Sequence, residues 1–168
     1  QHNDVFGSLD KEFNEAYVWH GTNVKAALSI AENDFKVDLA GSSAGTMYGH
    51  GVYLAESCTK ADEYAKDEKG TAYDGVFALL LCRVFMGKLY YTTKRDEHAQ
   101  EKVAGGEFDS VLGDRRKSAG TYREFVTFDQ NQIYPEYIVF YHRVHLRDDP
   151  KKVEEKLQQP LDLGIPTT

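Results

Sequence analysis

Cysteine is nearly absent. The 168 residues hold two, Cys58 and Cys82. Neither belongs to a CxxC pair or lies near a histidine cluster, which counts against zinc; no metal is expected. A disulfide between them stays open on the residues alone. No secretory signal is visible, so the expectation is a reducing, intracellular compartment, cytoplasmic or nuclear. Long apolar runs are missing as well. The longest, Val76 to Cys82, is broken by Arg83, and no membrane span is expected. Basic runs are short. Lys and Arg number 20 against 27 Asp and Glu, a net charge of −7, and only Arg115-Arg116-Lys117 interrupts the acidic balance. Such a chain repels a polyanion at long range, which weighs against nonspecific nucleic-acid binding and leaves a local contact open. Nucleotide signatures are also lacking. Gly49-His50-Gly51 is not followed by the third glycine of GxGxxG, and no GxxxxGK[ST] occurs. Any dinucleotide bound here is held without a Rossmann or P-loop cradle. Internal repeats and low-complexity segments are absent.

What is present is an ordinary globular composition, 41% hydrophobic and 28% charged. The length suits one domain with a real core. A single domain over 1–168 is expected, with a core at about 16–146, a lead-in at 1–15 and a polar tail at 147–168. The chain starts at Gln1 rather than Met, as an excised fragment does. Tyrosine is abundant, eleven against one tryptophan; its flat apolar face and polar tip suit ligand sites as well as cores.

Along the chain, Ala16 to Trp19 reads as a strand ending at His20-Gly21-Thr22. Thr22 or Asn23 caps a helix whose apolar positions are Val24, Ala27, Leu28 and Ala31. A Gly- and Ser-rich loop spans Gly41 to Gly51, and Gly51 to Ala55 is a short strand. Ser57 caps a second helix through Tyr64 and Ala65. Val76 to Tyr91 is strand-forming with a turn at Gly87. Thr92 to Gly106 is a charged surface helix or loop, and Arg115 to Thr121 a compact connection. Arg123 to Phe128 and Ile133 to Val144 are strands separated by an Asp129-Gln130-Asn131 turn. A last helix covers Lys151 to Gln158, ended by Pro160. Strands outnumber helices and do not alternate with them, which points to an α+β domain.

Three segments carry chemistry: Trp19-His20-Gly21-Thr22; Tyr48 to Glu56, leading into the helix with Tyr64; and Tyr134-Pro135-Glu136-Tyr137-Ile138-Val139. In this order and spacing they resemble the signature of the poly(ADP-ribose) polymerase catalytic domain, over roughly residues 17–143. The resemblance implies an ADP-ribosyltransferase-like α+β fold of two small packed antiparallel sheets with flanking helices and NAD in the cleft between them. It implies NAD as co-substrate and a triad that maps to His20, Tyr53 and Glu136. His20 then holds a ribose hydroxyl, Gly21 admits the nicotinamide amide with Thr22 beside it, and Tyr53 and Tyr64 sandwich the ring. Lys36 falls on the adenosine side. Ala55, Lys60 and Ala61 complete the NAD-binding set; Ala61 stands where many family members have serine. A protein acceptor is implied, automodification included, with nucleic acid undecided and the domain monomeric. Transfer of one unit is favoured over polymer, because the connection at Arg115 to Thr121 is short.

The chemistry is intelligible from the residue types. Breaking the bond between a cationic nicotinamide and ribose passes through an oxocarbenium-like transition state, which a neighbouring carboxylate stabilises. Pro135 suits a strand start. Alternation then puts Glu136, Ile138 and Phe140 on one face and Tyr137, Val139 and Tyr141 on the other. The plainer reading of Glu136 is a solvated glutamate on a strand edge, of both tyrosines core packing, and of Lys36 and Lys60 surface lysines. A non-catalytic NAD or ADP-ribose binding module and an NAD glycohydrolase are the functional alternatives.

Overall fold

The computed structural model describes residues 13–39, 47–144 and 149–158. Among the described residues seven strands are present: β1 (Glu15–Thr22), β2 (Val52–Ala55), β3 (Phe77–Phe85), β4 (Leu89–Thr92), β5 (Ser110–Asp114), β6 (Arg123–Thr127) and β7 (Ile133–Tyr141). Five α-helices accompany them among the described residues: α1 (Val24–Asn33), α2 (Cys58–Asp62), α3 (Ala99–Ala104), α4 (Arg115–Ala119) and α5 (Pro150–Gln158). The fold is α+β, as the sequence pattern indicates.

The strands form one hydrogen-bonded order, β4-β5-β6-β2-β1-β3-β7, rather than two separate sheets. Every pair is antiparallel except β4 with β5. The expected division survives in one feature. β1 pairs with β3 along its whole length, from Glu15↔Phe85 to Thr22↔Ala78, but meets β2 at a single pair, Trp19↔Ala55. Beyond that pair the β2-side edge of β1 has no strand partner among the described residues, and the sheet parts into two halves.

The main core lies on the inner face, where Val24 and Ala27 of α1 and Phe35 meet Ala16, Val18, Leu54, Leu80, Cys82, Val84 and Phe125. Asn23 starts α1 by accepting a hydrogen bond from the Ala26 N–H at 2.7 Å, satisfying one of the free donors of the first turn. Ala61 and Ala65, in α2 and just after it, pack with Ala55 and Leu79. A third cluster joins Tyr48, Ala99, Val111 and Val126.

Several local expectations shift. Ser57 occupies the N-cap position of α2 but makes no cap bond; its hydroxyl pairs with Thr59 Oγ1 at 2.7 Å. The helix stops at Asp62, so Tyr64 and Ala65 follow it in a turn. The connection at Arg115 to Thr121 contains a helix, α4, capped by the Asp114 side chain and closed by Gly120 in the left-handed region. β5 was hidden by its composition: Ser, Gly and Asp flank only two apolar residues, yet all five are buried between β4 and β6. The lead-in packs earlier than expected, with Asn14 donating to the Gly87 carbonyl at 3.1 Å. Most of the loop Gly41 to Gly51 and Pro160 lie outside the described residues. Both cysteines are free, Cys82 buried and Cys58 exposed. Among the described residues no helix is long and apolar enough to cross a membrane.

Thr127, in β6 opposite Val52, is fully buried, and among the described residues its hydroxyl has no hydrogen-bond partner. A buried unsatisfied polar group costs about 1–3 kcal/mol. Thr127→Val, nearly the same shape without the hydroxyl, is therefore expected to raise the unfolding free energy by about 1 kcal/mol in urea denaturation. A loss of stability would show that the hydroxyl has a favourable role.

Candidate active site

A cavity of about 590 Å³ opens where β1 and β2 part. His20, Gly21 and Thr22 line it from β1, Tyr53 and Ala55 from β2, Lys60, Ala61 and Tyr64 from α2 and the turn after it, and Lys36 from beyond α1. All nine residues expected around NAD thus share one cavity.

Glu136 does not reach it. The strand alternation that aimed Glu136 inward fails at a β-bulge: Leu81 faces Tyr137, the next residue Cys82 faces Pro135, and Glu136 is the extra residue between. An inserted residue locally re-aims the side chains of a strand. The Glu136 carboxylate accepts the Tyr17 hydroxyl, 2.9 Å from both oxygens, and lies 3.4 Å from Arg83 Nε. It is part of a surface network on β1, β3 and β7.

Three carboxylates line the cavity, Asp34, Glu63 and Glu124, and of these only Glu124 of β6 is buried. The pairs Tyr53↔Val126 and Ala55↔Glu124 put Tyr53, Ala55 and Glu124 on one face. Glu124 is 5% exposed. Its Oε1 lies 3.4 Å from the Tyr64 hydroxyl and 3.6 Å from Lys60 Nζ. Lys60 is itself buried, bonds to Glu63 at 2.7 Å and sits 4.9 Å from the centre of the Tyr64 ring. Burial works against the Lys60 charge, but Glu63, Tyr64 and Glu124 outweigh it and its pKa is raised. The sequence did carry a signal for Glu124. The pattern Tyr-x-Glu-aromatic-β-branched occurs twice, at Tyr122 to Val126 and at Tyr134 to Ile138, and only the first copy faces the cavity.

Two residues are held in defined states. His20 Nδ1 lies 3.0 Å from the Tyr53 carbonyl, and its ring meets Phe35 edge-on at 5.1 Å. Burial lowers its pKa from 6.5, against a smaller opposing effect of that hydrogen bond. The imidazole is therefore neutral at pH 7. A carbonyl only accepts, so Nδ1 carries the proton and Nε2 is left as an acceptor. The Tyr53 hydroxyl accepts from the Tyr48 N–H and donates to the Gly49 carbonyl, both at 2.9 Å. Burial, partly offset by the Tyr48 bond, pushes its pKa up to about 12.

The His20 state has a measurable consequence. Below pH 6.5 the unfolded chain takes up a proton that native His20 resists, so stability present above 6.5 is lost as pH falls toward the lower native value. The slope is at most about 1.4 kcal/mol per pH unit for one proton. His20→Gln is expected to flatten this part of the stability profile, followed by chemical denaturation between pH 4.5 and 7.5, a window set about 6.5. An unchanged slope would contradict the neutral state of this half-buried histidine.

The sheet parts over a cavity lined by aromatic rings, a neutral histidine and one buried carboxylate, the form that small-molecule sites commonly take. The poly(ADP-ribose) polymerase catalytic domain model matches residues 1–121, and the chain belongs to that family. It is similar to the poly [ADP-ribose] polymerase tankyrase of Caenorhabditis elegans, 25% identical over 82% of this chain and 7% of that protein. It is similar to the protein mono-ADP-ribosyltransferase PARP12 of Mus musculus, 28% identical over 78% of this chain and 17% of that protein. The mono-ADP-ribosyltransferase PARP11 of Mus musculus is 25% identical over 78% of this chain and 43% of its own length. The chain thus spans less than half of each of these relatives. The family match ends before both candidate carboxylates, so the choice between Glu124 and Glu136 rests on geometry.

Proposed function

We propose that this domain transfers ADP-ribose from NAD to a protein acceptor, itself included, with release of nicotinamide, and that Glu124 is the carboxylate that serves the reaction. The observation that carries the proposal is the meeting of His20, Tyr53, Tyr64 and Glu124 in one cavity. NAD is a substrate here; it supplies the bond between ribose and a cationic ring that is to be cleaved. The residues fit it. Tyr53 and Tyr64 offer rings to a flat cation, whose charge gains from their quadrupoles. Gly21 leaves the β1 edge without a side chain at the point where β2 has moved away. His20, neutral with Nε2 as acceptor, takes a hydrogen bond from a sugar hydroxyl. Glu124 lies near Tyr64, so a ribose joined to a ring against Tyr64 meets the carboxylate where positive charge develops. Lys60 Nζ lies 3.6 Å from the Glu124 carboxylate and faces it with a positive charge.

Transfer of a single unit is favoured. The segment before β6 is folded into α4 against that strand, and two of the relatives bear the name mono-ADP-ribosyltransferase. The lost serine hydroxyl at Ala61 is expected to weaken NAD binding by about one hydrogen bond, roughly 0.5–1.5 kcal/mol.

The test is incubation with NAD labelled in the adenosine half, with nicotinamide release and protein labelling followed together. Both are expected, and mass spectrometry then locates the modified residue. Release without labelling would make the domain a glycohydrolase. NAD binding with neither would make it a binding module.

A further inference from the structure

We propose that Gly113, on β5 and outside the cavity, is a positioning residue for Tyr53 that acts through the ring of Tyr48. The inference rests on the reading of Tyr53 as a wall of the NAD site.

Gly113 is not a glycine by backbone necessity. Its φ lies outside the left-handed region, unlike that of Gly49 at 94°. What it lacks is space. A Cβ there would stand 2.2 Å from Tyr48 Cζ, 2.3 Å from Cε2 and 2.5 Å from the hydroxyl. The Tyr48 ring thus lies directly against the β5 backbone, in the place where a side chain would be, and is 0% exposed. Gly113 is also the ladder partner of Glu124, so that place is on the face that carries the carboxylate.

The ring fixes more than itself. Tyr48 donates its backbone N–H to the Tyr53 hydroxyl, and the next residue, Gly49, accepts from that hydroxyl through its carbonyl. Both hydrogen-bond partners of the phenol therefore belong to the two residues whose position the lodged ring determines. The same stretch is tight elsewhere: a Cβ on Gly49 would meet Gln100 Cβ at 2.9 Å, and one on Gly51 the Thr127 carbonyl oxygen at 2.5 Å. Residues 48–51 thus have little freedom to shift in compensation. A methyl group at position 113 evicts the ring, moves the Tyr48 N–H and the Gly49 carbonyl, and releases the Tyr53 hydroxyl.

Because the donor at position 48 is backbone, the ring is removable without deleting the hydrogen bond. That permits a rescue. Gly113→Ala is expected to speed hydrogen exchange at the Tyr48 amide and to weaken NAD binding, each about tenfold, the size of one lost hydrogen bond. Adding Tyr48→Leu removes the atoms that clash, lets the new methyl fill part of the vacated space, and is expected to restore both values to within about threefold of wild type. Exchange is read by NMR and affinity by calorimetry. Should Gly113→Ala alone fail to fold, recovery of the fold in the double variant supports the proposal, and failure of both overturns it. A folded Gly113→Ala with wild-type exchange at Tyr48 also overturns it, as does a folded double variant no better than the single. The exchange measurement needs no NAD, so a wild-type protein that does not bind NAD refutes the site reading while the relay is still decided.

Discussion

Glu124→Gln is expected to lower kcat for ADP-ribosyl transfer about 10²–10³-fold, the typical cost of removing one preorganised electrostatic group. Glu136→Gln is expected to leave it within about twofold, as surface substitutions usually do. The asymmetry follows from position alone. Both residues are glutamates within the same short pattern, each followed by an aromatic and a β-branched residue. Glu124 stands in the cavity wall beside Tyr64 and Lys60, whereas Glu136, the bulged residue of β7, meets Tyr17 and Arg83 outside it. Glutamine keeps the shape and removes the charge, so the fold is retained in both variants. NAD affinity measured alongside separates binding from chemistry: a carboxylate that acts on developing charge shows its effect in kcat more than in KM. Equal activity losses in the two variants would show that the cavity does not select between the carboxylates. Loss in Glu136→Gln alone would return the role to β7.

Gly21→Ala is expected to have the largest effect on stability. A Cβ at this position would stand 1.8 Å from the Ala61 carbonyl oxygen and 2.7 Å from its carbon. Both are backbone atoms, so no side-chain rotation relieves the clash. The helix cannot retreat easily either. Asp62, next to Ala61, is bound by the Tyr141 hydroxyl and by Arg143 Nε at 3.0 Å, and Arg143 also reaches the Ala65 carbonyl. Arg143 in turn lies 4.0 Å over the Phe77 ring. Overpacking commonly costs 1–3 kcal/mol and more where the neighbours are fixed, so a loss of about 3 kcal/mol or more is expected, roughly 6–12 °C in Tm for a chain of this size. The shift in α2 also moves Lys60, Ala61 and Tyr64, so NAD affinity falls with stability. Calorimetry showing an unchanged Tm would mean that α2 is not seated on β1 as described.

These two residues mark what the sequence made legible. Gly21 could be placed at the cavity because it stands between histidine and threonine at a strand–helix junction, and its neighbours carry the family pattern. The nine positions expected around NAD line one cavity, and most of them lie within or near a short motif whose local structure is simple. Glu136 was misplaced because alternation along a strand holds only while the ladder is regular. A bulge depends on the partner strand, which the local sequence of β7 does not contain. β5 was missed because Ser110 and Asp114 read as loop residues. They are buried because β4 and β6 close over them, and the Ser110 hydroxyl is satisfied by the Met86 carbonyl. The two-sheet expectation was close in shape. What it lacked was the Trp19↔Ala55 pair that joins the halves and fixes where the cavity opens.

The most direct measurement is a crystal structure of the Glu124→Gln variant with NAD bound. Expected is a nicotinamide ring between Tyr53 and Tyr64, with a ribose hydroxyl within hydrogen-bonding distance of the amide at position 124. A dinucleotide seated away from the seam of β1 and β2, or with its ribose beside Glu136, would contradict the site described.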